Sequence, residues 1–297
     1  MKNFIVSDLH GNGNMYNIII NYLENIYQED KNIKLYINGD LIDRGPDSAD
    51  MLIDVKNRID NNISFPIEYL AGNHELMMYQ TSLRMKKNKW PFFSYWFLYN
   101  GGEMTVRGLR ERLTIKEEKE IIDFVANLPI YHKFDEEIKG KKILLVHAKC
   151  PKKVEDNCNL KIKNNTLAIS QYLWTRKIDP DLHFKNKLGN KDYFTIIGHT
   201  AVKSKYGYEY LKEDNCLNID GGNASFVKGY EEYDHTPLIE IDEKNNRLVI
   251  LTFNNNNEII YGNYFDNDKN KTMSEHELSN YRKYIKNNSN SRKLTIK

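Results

Sequence analysis

Six residues of metal-ligand type stand at the ends of short apolar runs: Asp8, His10, Asp40, Asn73, His147 and His199. Two carboxylates, one amide and three imidazoles make a donor set for divalent cations. One ion needs three or four such ligands, and six serve two ions if a carboxylate is shared. Oxygen and nitrogen donors without cysteine suit Mn, Fe, Zn or Co rather than a structural zinc or a calcium site. Two ions roughly 3.5–4 Å apart can share a hydroxide at neutral pH and clamp an in-line phosphoryl transfer. His74, Asp43, Arg44 and Arg176 are left for other work. A histidine next to Asn73 can protonate a leaving alkoxide if a carboxylate orients it, and Asp43 is the natural partner. Arg44 and Arg176 offer forked donors for phosphate oxygens. His132, His183, His235 and His276 lack this strand-end setting and read as structural or solvated.

The elements that must position these residues follow from the apolar pattern. Phe4-Ile5-Val6 precedes Asp8-Leu9-His10-Gly11. Leu35-Tyr36-Ile37 delivers Gly39-Asp40-Leu41-Ile42-Asp43-Arg44-Gly45, and Ile67-Glu68-Tyr69-Leu70 ends in Ala71-Gly72-Asn73-His74-Glu75. Helical stripes follow the first two runs (Ile18, Ile19, Tyr22, Leu23, Ile26; then Ala49, Leu52, Ile53, Val55), and Leu76 begins a third. This strand–loop–helix repetition predicts a parallel sheet flanked by helices, with the site beyond the carboxyl ends of its strands. Residues 142–146 read as a fourth strand ending in His147-Ala148, and 194–197 as a fifth ending in Gly198-His199-Thr200. Residues 216–219 lead to Asp220-Gly221-Gly222, while 237–241 and 247–251 read as a hairpin. The second half therefore predicts a second sheet, antiparallel, packed on the first. From about 80 to 130 lies an insert. Its aromatic run from Trp90 to Phe97 breaks at Gly101-Gly102, and a helix over 115–127 follows. It reads as a helical cap or lid whose aromatics are core, with Trp90 or Tyr95 the candidates to line the cleft.

At 297 residues, 40% hydrophobic and 12% aromatic, the chain can bury a sizeable core in one large domain or two small ones. No run of eighteen apolar residues is present, and the N-terminus turns polar too soon for a signal peptide. A cytoplasmic protein without membrane contact is expected. Cys150, Cys158 and Cys216 show no C-x-x-C spacing and read as reduced thiols. The formal charge of +2 divides into +4 from residue 266 onward and about −2 before it. That balance argues against nucleic-acid binding and against a polyanion-binding face.

The motifs Asp8-Leu9-His10-Gly11, Gly39-Asp40-Leu41-Ile42-Asp43-Arg44-Gly45 and Gly72-Asn73-His74-Glu75 resemble the three signatures of the phosphoprotein phosphatase family of metallophosphoesterases. Val146-His147-Ala148 and Gly198-His199-Thr200 resemble its two later histidine motifs, so the likeness spans about residues 4–222. Asn100-Gly101-Gly102 with Thr105, and Asp220-Gly221-Gly222, are similar to the compact bacterial and phage branch. Lys149 departs from the pattern, which carries glycine there; it puts the shape of that loop in question. The resemblance implies an α/β fold, a β-sandwich of two mixed sheets flanked by helices, with the helical insert. It implies a catalytic domain over 1–265 followed by a polar basic tail over 266–297. It implies that Asp8 and His10 bind one ion, Asn73, His147 and His199 the other, and that Asp40 bridges. His74 would be the general acid, paired with Asp43; Arg44, Arg176 and Asn73 would contact the substrate. Two divalent ions are implied, Mn first, with Fe, Zn, Co or Ni as alternatives. The expected reaction is hydrolysis of phosphoserine or phosphothreonine in proteins by direct attack of a hydroxide held between the ions. The alternatives are hydrolysis of a dinucleoside polyphosphate or another small phosphate ester, and a non-catalytic module that binds phosphorylated partners.

Overall fold

The computed structural model describes residues 1–91, 93–155, 160–164, 167–178, 185–266 and 269–285. Three short apolar runs open the chain as strands β1 (Lys2–Val6), β2 (Ile33–Asn38) and β3 (Ile67–Leu70). They pair in parallel, with Val6 opposite Ile37 and Asn38 opposite Leu70. Helices α1 (Gly13–Glu29) and α2 (Ser48–Asp60) make the crossovers, and α3 (Asn73–Ser82) follows β3. The Asn12 side chain caps α1 by accepting the Met15 N–H, and the stripe Ile18, Ile19, Tyr22, Leu23 and Ile26 is buried.

The insert holds α4 (Tyr95–Asn100), α5 (Gly102–Arg112) and α6 (Ile115–Ala126). A capping box between Thr114 and Glu117 starts α6. Next come β4 (Tyr131–Ile138), β5 (Lys141–Val146), α7 (Leu167–Trp174), β6 (Tyr193–Ile197), β7 (Glu209–Leu211) and β8 (Cys216–Asn218). The chain then runs through α8 (Asn223–Phe226), β9 (Thr236–Asp242), β10 (Arg247–Phe253), β11 (Ile259–Asp266), β12 (Lys269–Thr272) and α9 (Glu275–Arg282).

Two mixed sheets result, ordered β12-β11-β10-β9-β1-β2-β3 and β4-β5-β6-β8-β7. The hairpin of β9 and β10 does not join the second sheet, as the sequence pattern suggested. It extends the first, with β9 antiparallel to β1 and Asn3 opposite Ile241. The second sheet is not antiparallel throughout: β5, β6 and β8 run parallel, and only its outer strands β4 and β7 pair antiparallel. The reason is the open edge of β1, where Ile239, Ile241 and Ile250 continue the buried face begun by Ile5.

Alternation along the strands builds both layers of core. Ile5, Tyr36 and Leu70 point between the sheets toward Phe134, Ile143, Leu145, Phe194 and Leu217. Phe4, Val6, Leu35 and Ile37 point the other way, onto the helices. Strands covered on both faces read as continuous apolar runs, which is why these were legible. Each such side chain contributes roughly 1.5–3 kcal/mol on burial.

Beyond residue 265, β12 pairs with β11, and Met273 and Leu278 are buried against Gly262. The start of the polar tail is therefore packed on the body as far as Ile285. Cys150 and Cys216 are buried free thiols, each pushed up by burial, Cys150 to about 12; Cys158, His183 and Phe92 lie outside the described residues, as does the chain after 285. Among the described residues no helix is long and apolar enough to cross a membrane.

Candidate active site

Every residue of the proposed donor set sits directly after a strand or at the head of the helix that follows. Asp8 and His10 follow β1, Asp40 follows β2, Asn73 and His74 open α3, His147 follows β5 and His199 follows β6. All are buried. Two parallel sheet portions therefore aim their carboxyl ends at one place, where a parallel sheet puts its ligand.

The backbone there is costly. Asp8, His10, Asp40, Asp43, Arg44 and His199 all lie in the left-handed region, with φ between 45° and 73°. Non-glycine residues held there cost of order 1–3 kcal/mol each and gather at functional sites. Gly39, with φ 78°, and Gly72 make the close approach between the second and third motifs. A Cβ on Gly39 would fall 2.5 Å from the Gly72 backbone, and one on Gly72 would fall 2.1 Å from Asp40 Oδ1.

Glu75 locks these two loops together. Its carboxylate accepts the Asp40 N–H (2.9 Å), the Leu41 N–H (3.1 Å), the Gly72 N–H (2.8 Å) and the Tyr69 hydroxyl (2.6 Å). Asp40 Oδ1 in turn accepts the His74 N–H at 3.0 Å.

The second partner of each imidazole sorts the histidines by role. Nδ1 of His10 faces the Ile42 carbonyl at 3.1 Å, and Nδ1 of His147 faces the Asn38 carbonyl at 2.9 Å. Nε2 of His199 faces the Trp174 carbonyl at 3.1 Å. A carbonyl can only accept, so these nitrogens carry the proton in the neutral rings and the other nitrogen of each is bare. The bare atoms converge. His147 Nε2 lies 3.4 Å and His10 Nε2 3.5 Å from Asp40 Oδ2. Asn73 Oδ1 lies 3.1 Å from His147 Nε2 and 2.7 Å from His199 Nδ1.

These contacts set lone pair against lone pair. Donors bound to one ion at about 2.1 Å and at right angles stand roughly 3 Å apart, so the residues present fit divalent cations. Among the described residues two groups of donor atoms lie within 4.8 Å of one another: His10, Asp40 and His74, and Asp40, His147 and His199. Asp40 belongs to both, the position a bridging ligand needs. Asp8 stands beside them. Its carboxylate accepts the Ser7 hydroxyl and, at 3.1 and 3.2 Å, the His199 N–H.

Charge tells the same story. Burial pushes His10 and His199 well below the ordinary imidazole value, with Arg44 and His74 adding for the first and His147 and Arg176 for the second. Burial pushes Asp8 well up, and Asp220 adds. For His147 burial works downward, but Asp40 and Asp8 outweigh it and hold the ring at about 10. For Asp40 burial works upward, and His147 and His74 overcome it. Opposed shifts of this kind mark functional sites.

His74 differs from the other three. Its Nδ1 faces a carboxylate, Asp43 Oδ2, at 2.6 Å, and both groups are fully buried. Its Nε2 looks into the site, 3.9 Å from Asp40 Oδ2. Arg44 caps the same space: Nη1 lies 3.3 Å from His10 Nε2 and Nη2 3.2 Å from His74 Nε2. Among the described residues its buried Nε has no hydrogen-bond partner, a donor that a phosphate oxygen would satisfy. Arg176, half-buried at the rim, places Nη1 3.2 Å from both the His199 carbonyl and Thr200 Oγ1.

The sequence profile of the calcineurin-like phosphoesterases matches residues 1–230. The chain belongs to that family. That family is one of metal-dependent phosphoesterases, and the donor set fits divalent cations. Two curated proteins named symmetrical bis(5'-nucleosyl)-tetraphosphatase are similar to this calcineurin-like chain. One, from Proteus mirabilis, is 26% identical over 148 residues, 50% of this chain and only 44% of its own length. The other, from Marinomonas sp., is 24% identical over 249 residues, 80% of this chain and 78% of its own. Among solved structures, a serine/threonine phosphatase of Saccharomyces cerevisiae similar to human PP5 superposes with a TM-score of 0.55 at 14% identity. That match covers 86% of this chain and 80% of the other. The cold-active protein-tyrosine phosphatase of a Shewanella species gives 0.53 at 14% identity, covering 92% and 80%. At such identities the likeness establishes the fold.

Four site residues of this calcineurin-like chain carry no role in the sequence reading. In the sequence Glu75 is simply the last residue of the third motif. Asp220, buried and pushed up to about 6 by burial with Asp40 adding, faces the donors across the site. Trp96 and Thr105, both buried in the insert, contact Asp43. Of the aromatic run read as core, Trp90, Trp96 and Phe97 are buried, Trp90 with Nε1 on Glu118, while Tyr95 is exposed. A buried tryptophan needs a partner for its N–H; that was the available signal for Trp96. Lys149 leaves the loop intact, its N–H on the Tyr172 carbonyl at 3.0 Å. His132 packs on Tyr36 and Phe134 away from the site, and His276 is exposed.

Proposed function

We propose that this calcineurin-like phosphoesterase is a phosphomonoesterase acting on phosphoserine or phosphothreonine in proteins. The observation that carries the reading is the buried His74–Asp43 pair at 2.6 Å, with Nε2 of His74 turned into the site. Serine and threonine alkoxides are poor leaving groups, and a fixed proton donor is what such an ester demands. A carboxylate on Nδ1 fixes the tautomer and the direction of the ring, so that Nε2 is the atom from which a proton can pass to the ester oxygen.

Asp8, His10 and Asp40 would hold one divalent ion, and Asp40, Asn73, His147 and His199 a second; Mn is the first candidate. The chemistry such ions supply is neutralisation of the phosphoryl oxygens and a lowered pKa of water. The chain's own part is orientation. Arg44, with Nε unpartnered, and Arg176 at the rim grip the remaining phosphate oxygens as forks.

A second reading has a specific support: both curated relatives are named as tetraphosphatases of dinucleosides. Hydrolysis of such an anhydride releases a group that needs little protonation, so it would make less use of His74. The test compares kcat/KM for a phosphoserine peptide and for diadenosine tetraphosphate with Mn supplied. Faster peptide turnover is the expected result. Preference for the dinucleotide, with His74→Asn nearly as active on it, would overturn the reading.

A further inference from the structure

We propose that Trp96 and Thr105 are positioning residues for the acid pair, and that the helical insert is a fixed buttress of the active site rather than a lid. The inference rests on His74 being the proton donor and goes beyond it.

Asp43 is held from two sides. On one side His74 Nδ1 binds Oδ2 at 2.6 Å. On the other, the insert supplies three contacts. Trp96 Nε1 donates to the same Oδ2. Thr105 Oγ1 donates to Oδ1 at 2.5 Å and accepts the N–H of Asp43 itself at 3.1 Å. All four groups are buried, at 1% exposure or less. A carboxylate with one bonded partner can rotate about its Cβ–Cγ bond. Donors on both oxygens remove that freedom, so the line from Oδ2 through the imidazole to Nε2 keeps one direction. Orientation of this kind is what rate depends on, since small misplacement of a reacting group is expensive.

The insert itself is tied down. Arg112 on α5 grips Asp50 on α2 with two nitrogens, at 2.5 and 2.7 Å. Gly108 brings α5 against Ala49, where a Cβ would fall 2.6 Å from the Ala49 Cβ. The Gly101 carbonyl accepts the Arg44 N–H at 3.3 Å, so the same segment fixes the residue beside Asp43. Glu118 on α6 joins the Trp90 indole at 2.6 Å and Arg110 at 2.9 Å, closing the insert on itself. A lid would break such contacts in order to open. These run from two of its helices into the site and the helix behind it.

The side chains chosen also argue for purpose. A phenylalanine in the Trp96 site would need no partner, and valine has the shape of Thr105 without its hydroxyl. Tryptophan and threonine bring the two donors that Asp43 can use.

The experiment compares wild type, Trp96→Phe, Thr105→Val and Thr105→Ser on two substrates, with Mn supplied. One is an alkyl phosphate monoester, whose leaving group needs a proton; the other is p-nitrophenyl phosphate, whose leaving group does not. For Trp96→Phe and Thr105→Val we expect kcat on the alkyl ester to fall about 10- to 100-fold. We expect kcat on the aryl ester to fall less than about threefold and KM to stay near wild type on both. Thr105→Ser keeps the hydroxyl and should recover most of the alkyl activity. In an Asp43→Asn background, Trp96→Phe should add no further selective loss, because the group it positions has changed. Equal losses on both substrates, or no loss, would overturn the positioning role. His74→Asn separates this failure from that of the underlying reading. If His74→Asn discriminates between the two esters and Trp96→Phe does not, only the buttress fails. If His74→Asn does not discriminate either, the acid assignment fails with it.

Discussion

Glu75 is the joint between the second and third motifs, and Glu75→Gln tests it with almost no change of shape. The wild-type carboxylate takes four hydrogen bonds, three from backbone N–H groups and one from Tyr69. Glutamine replaces one acceptor oxygen with an NH2 group. Placed on the Oε2 side, that group would oppose both the Asp40 and the Gly72 N–H. Placed on the Oε1 side, it meets the Leu41 N–H and the Tyr69 hydroxyl, which can turn to accept. The second is the cheaper arrangement, and it leaves the buried Leu41 N–H unpaired. Losing one charge-assisted bond and stranding one donor costs roughly 3 kcal/mol. A chain of 297 residues unfolds with an entropy of about 0.6 kcal/mol/K, so Tm should fall by ~5 °C. Tyr69→Phe removes one donor and strands none on the backbone; it should cost about 1 kcal/mol, or ~2 °C. Differential scanning calorimetry of the three proteins at pH 7.5 reads both numbers. Burial and the Asp40 charge push Glu75 upward, so there is a definite way to be wrong. If Glu75→Gln melts with wild type, the folded protein holds a neutral acid at this position, and the account of the joint as a carboxylate hub is refuted.

His74→Asn should lower turnover of an alkyl phosphate by about 100-fold or more while metal content stays at the wild-type level, checked by steady-state kinetics beside elemental analysis; loss of bound metal would make His74 a ligand instead. Glu240 on β9 offers a pH test remote from the chemistry, for burial, with Asp242 adding, pushes it from 4.5 to about 7. Since the folded value lies above the unfolded one, the native state binds the extra proton between them. Stability contributed by this group is full below about pH 4.5 and declines as pH rises to about 7. The loss is on the order of 3 kcal/mol. Glu240→Gln should therefore raise Tm at pH 8 and change it little at pH 5, and an equal shift at both would contradict the burial argument.

What the sequence disclosed was what depends on local pattern. Strands buried on both faces wrote themselves as apolar runs, and the donors followed at their ends because the carboxyl edge of a parallel sheet is where function collects. Partnership across the chain left little local trace. Strand β4 reads Tyr-His-Lys-Phe-Asp-Glu-Glu-Ile, too polar to announce itself, and forms because β5 offers an edge. The β9–β10 hairpin was legible as a hairpin but not as the neighbour of β1, more than two hundred residues away. Glu75, Trp96 and Thr105 take their roles from residues 34 to 62 positions distant. In the tail, a few buried residues such as Met273 and Leu278 anchor the chain among many polar ones, a contact that composition alone does not show.

The most direct test of the central claim is metal stoichiometry in wild type and Asp40→Asn. Asp40 is the one residue common to both donor groups, with Oδ2 within 3.5 Å of His10 and His147 nitrogens. Apo-protein titrated with Mn and read by calorimetry and elemental analysis should take up two ions per chain, and Asp40→Asn one or none at the same concentrations. Two ions bound with unchanged affinity by Asp40→Asn, or no ion bound by wild type, would contradict the account.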